Sequence, residues 1–112
     1  MDLFNDSGAV ISRCSQYRYD LWRIWDRDSP IMVFVMLNPS TADAGADDPT
    51  LRRCIGFARR HGFGGIRVRN VFALRATDSG ELSQHPDPCG PLNEHFLRQC
   101  STYTKARLVV AS

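Results

Sequence analysis

The longest hydrophobic run in the chain is residues 31–37, IMVFVML, which stops abruptly at the polar turn 38–41, NPST. A run that is apolar at every position is typical of a strand buried on both faces, as at the centre of a parallel sheet. In open α/β sheets, ligands collect at the carboxyl ends of such strands, because the loops leave a crevice there and helix amino-termini offer unpaired N–H groups. Asn38, the first polar residue after the run, is therefore the first candidate functional residue.

Two segments before this run predict a β-hairpin. Residues 9–14 (AVISRC) and 17–25 (YRYDLWRIW) alternate aromatic or β-branched residues with polar ones, and a tight turn separates them. Residues 27–30, RDSP, break the pattern before the buried strand begins. We expect the hairpin to pair at one edge of the sheet.

A helix is predicted after the loop 38–47. Asp48 can cap it, and Pro49 suits its first position because the N–H that proline lacks would have no partner there. Apolar residues then recur at helical spacing, namely Leu51, Cys54, Ile55 and Ala58. The helix should end near His61 and Gly62.

The segment after this helix completes a βαβ unit. Residues 66–74, IRVRNVFAL, predict a strand that runs parallel to strand 31–37 and lies beside it or nearly so. Residues 75–91 predict a long loop at the ligand-facing edge of the sheet. Regular structure is interrupted there by Gly80, Pro86, Pro88, Gly90 and Pro91.

The last segment predicts a second helix and a further strand. Residues 91–104 place Leu92, Phe96, Cys100 and Tyr103 on one apolar face, and residues 108–111, LVVA, have the pattern of a buried parallel strand. A central strand at the very end of the sequence would leave a sheet face uncovered, so we expect an incomplete domain. The expected fold is a three-layer α/β/α domain with a central, mainly parallel sheet and an amino-terminal antiparallel hairpin.

Composition limits the function classes. A chain of 112 residues forms one domain, and 43% hydrophobic with 23% charged residues is ordinary for a globular protein. No apolar run approaches the roughly 20 residues that cross a bilayer, and the polar start MDLFNDSG argues against a signal peptide. We expect a cytoplasmic protein that does not associate with a membrane.

The four cysteines form no C-x-x-C pair and the three histidines do not join them at zinc-ligand spacing, so no metal and no cofactor is expected. Cys54 and Cys100 are expected to be buried.

Thirteen of the fourteen basic residues are arginine, Lys105 being the exception, although the net charge is only +2. Four of them, Arg52, Arg53, Arg59 and Arg60, are predicted to form a stripe on the polar side of the first helix. Such a stripe can contact the phosphate backbone of a nucleic acid. An ordinary solvated helix face gives the same pattern and is the favoured interpretation.

The strand ends should bring several polar residues toward one crevice, namely Asn38, Ser40, Thr41, Asp43, Asn70, Arg75 and Thr77. Asn70 lies inside an apolar strand, and a buried amide without partners costs about 1–3 kcal/mol. It is either satisfied by the backbone or presents a donor and an acceptor to a ligand, as an amide does to a nucleobase. Asn38 either braces its turn or positions a water molecule. Asp43 and Asp47 are candidates for charge chemistry, whereas Asp48 is more simply a cap.

The motifs RYDLWRIW, MLNPSTAD, DPTLRRCIGFARRHGF and NVFALRAT together resemble a bacterial family of unknown function, DUF1643. The resemblance extends over nearly the whole chain from about Arg13. It implies a fold more readily than an activity.

A more distant similarity is to the uracil-DNA glycosylase superfamily. Residues 37–40, LNPS, resemble its first motif, of the type GxNPG, and residues 69–77, RNVFALRAT, resemble its next strand, of the type TNxVxRPT. The resemblance implies a uracil-DNA glycosylase-like fold, with Asn38 as the water-positioning residue and Asn70 as the base reader. With Asp43 as the candidate for charge chemistry, we expect Asn38 and Asp43 to be the catalytic residues. Substrate-binding residues would then be Pro39, Ser40, Thr41, Asn70, Phe72, Arg75 and Thr77.

The sequence also departs from that pattern. Met36 and Ser40 replace glycines of the first motif, and Leu74 stands where iron–sulfur members have cysteine, so no cluster is expected. The histidine-containing second motif would fall beyond Ser112, which removes transition-state stabilisation. Three hypotheses stay open: a glycosylase-like hydrolase, a module that binds a nucleobase, nucleotide or nucleic acid without reaction, and an inactive truncated piece. For this chain the last two are favoured.

Overall fold

The structure is a computed structural model and describes residues 6–78, 80–100 and 106–110, the last segment by its backbone alone. The strands are β1 (Asp6–Ile11), β2 (Arg18–Ile24), β3 (Ile31–Met36), β4 (Gly65–Asn70) and β5 (Ala106–Val110). The helices are α1 (Pro49–Arg60), α2 (Gly80–Gln84) and α3 (Asn93–Gln99). The described chain is therefore a mixed α/β fold, as the sequence predicts.

The described strands form one sheet in the order β1-β2-β4-β3-β5. β1 and β2 form the predicted antiparallel hairpin at one edge, and β3 and β4 are the parallel neighbours that the βαβ pattern predicts. β5 is parallel to β3, but β2 is antiparallel to β4. Two of the four pairings are thus antiparallel, so the sheet is mixed and the expected mainly parallel sheet is not confirmed.

A register shift in the hairpin inserts one residue into β2. Val10 lies opposite Asp20, whereas Ile11 lies opposite Arg18, which leaves Tyr19 without a partner in β1. An extra residue of this kind changes the face to which the flanking side chains point. Arg18 accordingly contacts the α1 side of the sheet, where it bonds to Ala42, and Tyr19 points to the other side.

Helices cover both faces of the sheet. On one face, α1 packs against alternate residues of three strands, namely Leu21, Met32, Phe34, Ile66 and Val68. On the opposite face, Arg69 of β4 donates to the carbonyl oxygen of Phe96 in α3, and the rings of Tyr19 and Phe96 stack at 5.4 Å. The described residues therefore form three layers, and the first turns of α1 lie at the carboxyl ends of β3 and β4.

Several predicted boundaries are wrong. The strand predicted at 66–74 ends at Asn70, because the N–H groups of Ala73 and Leu74 donate to the loop carbonyls of Cys89 and Pro88. The predicted loop 75–91 contains α2, which buries Leu82.

The second predicted helix is shorter than its apolar pattern. α3 spans Asn93–Gln99, and Leu92, expected on the buried face, is 56% exposed because it precedes the first helical residue. The predicted helical residues 101–104 lie outside the described part of the chain. Cys54 is buried as expected, whereas Cys100 is only half-buried.

Candidate functional site

The carboxyl ends of β3 and β4 lie side by side and open into a small cavity. Met36, the last residue of β3, is opposite Asn70, the last residue of β4, and Asn38 follows two residues later. Asn38 and Asn70 both line a cavity of about 50 Å³. Its other polar lining residues are Arg18, Ser40, Asp48 and Thr50. The two amides that the sequence singles out thus share one hollow on the α1 side of the sheet.

Asn70, which lines this cavity, has a buried hydrogen-bond donor without a partner among the described residues. The residue is 1% exposed, and its Oδ1 accepts a hydrogen bond from Nη2 of Arg18 at 3.5 Å. That bond fixes the amide with its oxygen toward Arg18. The Nδ2 group is buried and has no partner among the described residues. A buried donor without a partner costs about 1–3 kcal/mol, a cost that a nearby acceptor would relieve.

Arg18 supplies a second buried donor, at a position that the sequence pattern does not single out. Its side chain is 4% exposed, and Nη1 donates to the carbonyl oxygen of Ala42 at 3.1 Å. Its Nε has no partner among the described residues. Burial lowers the pKa of Arg18 to about 10, against the opposing effect of the Asp48 carboxylate, so the group stays charged at neutral pH.

Asp48 holds the first turn of α1 and the preceding loop together. Its Oδ1 accepts from the N–H of Leu51 at 2.8 Å, which confirms the predicted cap, and Pro49 begins the helix. Its Oδ2 accepts from the N–H of Ala42 at 3.1 Å. The carboxylate is therefore committed to backbone donors and provides the negative charge that offsets Arg18.

Asn38 ties together the two loops that follow β3 and β4. Its Nδ2 donates to the carbonyl oxygens of Pro39 at 3.0 Å and Ala76 at 2.9 Å. Its Oδ1 has no donor among the described residues. Asn38 thus braces the turn, and the same bonds leave its oxygen free to accept a hydrogen bond.

The remaining predicted site residues divide between two places. Pro39 and Ser40 line the cavity of Asn38 and Asn70. Thr41, Arg75 and Thr77 line a neighbouring open pocket of about 300 Å³, which Ser40 also borders. Arg75 donates there to the carbonyl oxygens of Ser15 at 3.3 Å and Thr41 at 3.5 Å.

Two further predicted residues, Asp43 and Phe72, line neither the cavity nor the neighbouring pocket. The Oδ1 of Asp43 accepts from the N–H groups of Gly45 and Ala46. These bonds lower the pKa of Asp43, which makes it a weak base. Phe72 packs against the aromatic cluster around Tyr17 and Tyr19.

All four arginines of α1 are exposed, as a solvated face requires, but they form two rows instead of a single stripe. Arg52 donates to the carbonyl oxygen of Asp47 at 3.3 Å, and the guanidinium of Arg59 lies 4.4 Å from the ring centroid of Trp25. Arg53 and Arg60 point to the other flank, where they line a groove of about 750 Å³. The helical repeat explains the split, because adjacent positions point about 100° apart.

The described residues contain neither a metal-ligand cluster nor a membrane-spanning helix. Among them, no group of three or more histidine, cysteine or acidic side chains could hold a metal ion. No helix in the same part of the chain is long and apolar enough to span a membrane.

Comparison with known proteins identifies a family. The family model described as "Protein of unknown function (DUF1643)" matches residues 18–112. Curated proteins give no match, and solved structures give none either. The family match includes β2, β3, α1 and β4, and thus both asparagines of the cavity. The chain therefore belongs to the DUF1643 family.

Proposed function

We propose that this chain binds a nucleobase or nucleotide, free or within a nucleic acid, at the carboxyl ends of β3 and β4. One observation carries the proposal: the unpartnered, buried Nδ2 of Asn70 at the cavity. An acceptor on a ligand would satisfy this donor and regain about 1–3 kcal/mol of desolvation cost. The unpartnered Nε of Arg18 also requires an acceptor, so we expect the ligand to present hydrogen-bond acceptors to the cavity.

Nucleobase edges meet this demand. Asparagine pairs with bases through its amide, and the bond from Arg18 leaves Asn70 only its donor side for a ligand. Asn70 would therefore prefer a keto oxygen to an amino group at the same ring position. Ser40 and Thr50 add hydroxyl groups that donate or accept as the ligand requires.

The surroundings have room for more than a base edge. The cavity alone is small, but Met36, Asn38, Thr50 and Cys54 also line the larger groove of about 750 Å³. Ligand pockets commonly measure about 300–1,000 Å³ and are mostly apolar with a few placed polar groups. We propose that the polar edge of the base enters the cavity and that the rest of the ligand lies in the groove.

Ligand titration tests this proposal. Uridine, thymidine, guanosine, cytidine and adenosine are titrated at up to millimolar concentration against the wild-type chain, with melting temperature and calorimetric heat as readouts. We expect uridine to bind more tightly than cytidine, and Asn70→Ala to abolish binding. Gln84→Ala is the control, because this amide is exposed and does not line the cavity. No response of the wild-type chain to any nucleoside or nucleotide would contradict the proposal.

A second candidate function is hydrolysis of an N-glycosidic bond, as the similarity of residues 37–40 and 69–77 to the uracil-DNA glycosylase superfamily and its fold suggests. The orientation of Asn38 favours it, because Nδ2 is held by two carbonyl oxygens and Oδ1 is left to accept from a water molecule. We assign no catalytic role to Asp43 in this reaction, since it does not line the cavity.

Single-turnover assays on uracil-containing single- and double-stranded DNA separate the two functions. Release of uracil that vanishes in Asn38→Ala, with binding retained, would establish catalysis. Binding without release would identify the chain as a binding module. Any longer natural form of the protein should be assayed in parallel, since the third hypothesis, an inactive piece, predicts release only by that longer form.

A further inference from the structure

We propose that Arg53 and Arg60 form a phosphate-binding pair, so that the ligand of this protein is a nucleotide and not a free base or nucleoside. The inference rests on the proposed function and names the part of the ligand that the cavity does not hold. It assigns a role to only two of the four exposed arginines of α1.

The groove beside α1 has an apolar floor that remains accessible. Phe34, Met36, Leu37 and Phe57 line it, and Leu37 and Phe57 are 40% and 39% exposed. Phe57 lies on α1, where its ring stacks on His61 with 4.3 Å between centroids. The planar face of a nucleobase can cover this floor, whereas a free phosphate cannot.

The charge of the groove is one-sided. Arg53 and Arg60 are both exposed and lie seven residues apart, two helical turns, so they point to the same flank of α1. Neither forms a salt bridge with any described residue, and no aspartate or glutamate is among the described residues that line the groove. Two guanidinium groups without counter-charges above an apolar floor complement a ligand with an apolar body and an anionic end.

The other two arginines show that this arrangement is specific to one flank. Arg52 is bonded to the backbone of Asp47, and Arg59 lies over the ring of Trp25. Both are on the same helix with the same charge, yet they do not line the groove. A non-specific attraction of the basic helix for anions would involve all four arginines, whereas a specific phosphate site in the groove requires only Arg53 and Arg60.

The groove and the cavity belong to one ligand-binding surface. Asn38 and Met36, at the end of β3, line both, as do Thr50 and Cys54 from α1. In the complex that we propose, the base edge lies at Asn70 and the phosphate lies in the groove, at the arginine pair.

The experiment compares uridine, uridine 5′-monophosphate and inorganic phosphate by calorimetric titration of three proteins. These are the wild-type chain, Arg53→Gln/Arg60→Gln and Arg52→Gln/Arg59→Gln, the last two with equal changes of charge. We expect the monophosphate to bind the wild type about tenfold more tightly than uridine, since exposed pairs each contribute modestly. That gain should disappear in Arg53→Gln/Arg60→Gln, persist in Arg52→Gln/Arg59→Gln and shrink with added salt.

The outcomes separate this inference from the proposed function. Uridine could bind through Asn70 with the same affinity as its monophosphate, or both double variants could lose the extra affinity for the monophosphate equally. Either result would overturn the role of Arg53 and Arg60 and leave the base site intact. If no nucleoside and no nucleotide binds the wild type, the proposed function fails and this inference with it. A dinucleotide that binds more tightly than the monophosphate, with the increment again dependent on Arg53 and Arg60, would identify a nucleic-acid strand as the source of the phosphate.

Discussion

The guanidinium of Arg18 donates a hydrogen bond to Oδ1 of Asn70 at 3.5 Å, and both side chains are buried. One residue comes from β2 and the other from β4, so the bond joins two strands at the cavity. It fixes which end of the Asn70 amide faces a ligand. Arg18 is thus a positioning residue for the proposed base-reading group, and several properties of the protein should depend on it.

Arg18→Lys should weaken both stability and base discrimination. Lysine keeps the charge but lacks the planar fork that reaches Ala42 and Asn70 together. We expect a loss of about 1–3 kcal/mol in the free energy of unfolding, measured by urea denaturation. The preference for uridine over cytidine should also fall, because the Asn70 amide can then turn. Arg13→Lys, at an exposed position, is the control, and an equal effect of both substitutions would contradict the positioning role.

Asp48→Ala should be the more damaging substitution near the cavity. It removes the cap of α1, the anchor of the Ala42 N–H and the negative charge beside Arg18. We expect a loss of about 2–4 kcal/mol in unfolding free energy, measured by urea denaturation. Asp48→Asn should lose roughly half as much, since asparagine is also a good cap. Asp28→Ala, at an exposed site, should change stability by less than about 0.5 kcal/mol, and a similar loss there would argue against this account.

The parts of the fold that sequence predicts best are those specified by local physical rules. The uninterrupted apolar run of β3 requires burial on both faces, and Asp48 with Pro49 satisfies the free N–H groups of a helix start. These two elements and the following strand set the βαβ geometry, which brings Asn38 and Asn70 to one cavity. The central pair of the candidate site was therefore predictable.

Arg18 was not predictable, because its position depends on pairing between strands. Strict alternation along β2 would put Arg18 on the same face as Asp20, away from Asn70. The extra residue Tyr19 reverses this, and a register shift is set by the whole hairpin and not by the local pattern. The antiparallel pairing of β2 with β4 escapes prediction for the same reason, since nothing in either segment specifies its neighbour. By contrast, the two rows of arginines on α1 follow from helical geometry, and a finer periodicity analysis would have found them.

Cys54 and Cys14 should react with iodoacetamide at very different rates. Burial raises the pKa of the Cys54 thiol to about 11, so at pH 8 roughly one thiol in a thousand is ionised. A hydrogen bond from Ser12 lowers the pKa of the exposed Cys14 thiol, which favours its reactive thiolate. Peptide mass spectrometry after timed alkylation should find Cys14 modified first and Cys54 only after unfolding. Ser12→Ala should slow the modification of Cys14, and early labelling of Cys54 in the native protein would contradict its burial.

Asp43→Ala should make the stability of the protein less dependent on pH in the acidic range, without changing ligand affinity. Hydrogen bonds from the N–H groups of Gly45 and Ala46 lower the pKa of Asp43, so the folded state holds this proton less tightly than the unfolded state does. The contribution of Asp43 is therefore fully present above the unfolded pKa of about 3.9 and is lost as pH falls through the lower folded value. Melting temperatures are measured from pH 7 to pH 2. At neutral pH the wild type should melt at a higher temperature than Asp43→Ala, and the difference should shrink below about pH 4. Because Asp43 does not line the cavity, nucleoside affinity at pH 7 should be unchanged. A large loss of affinity in this variant would instead restore Asp43 as a candidate catalytic or binding residue.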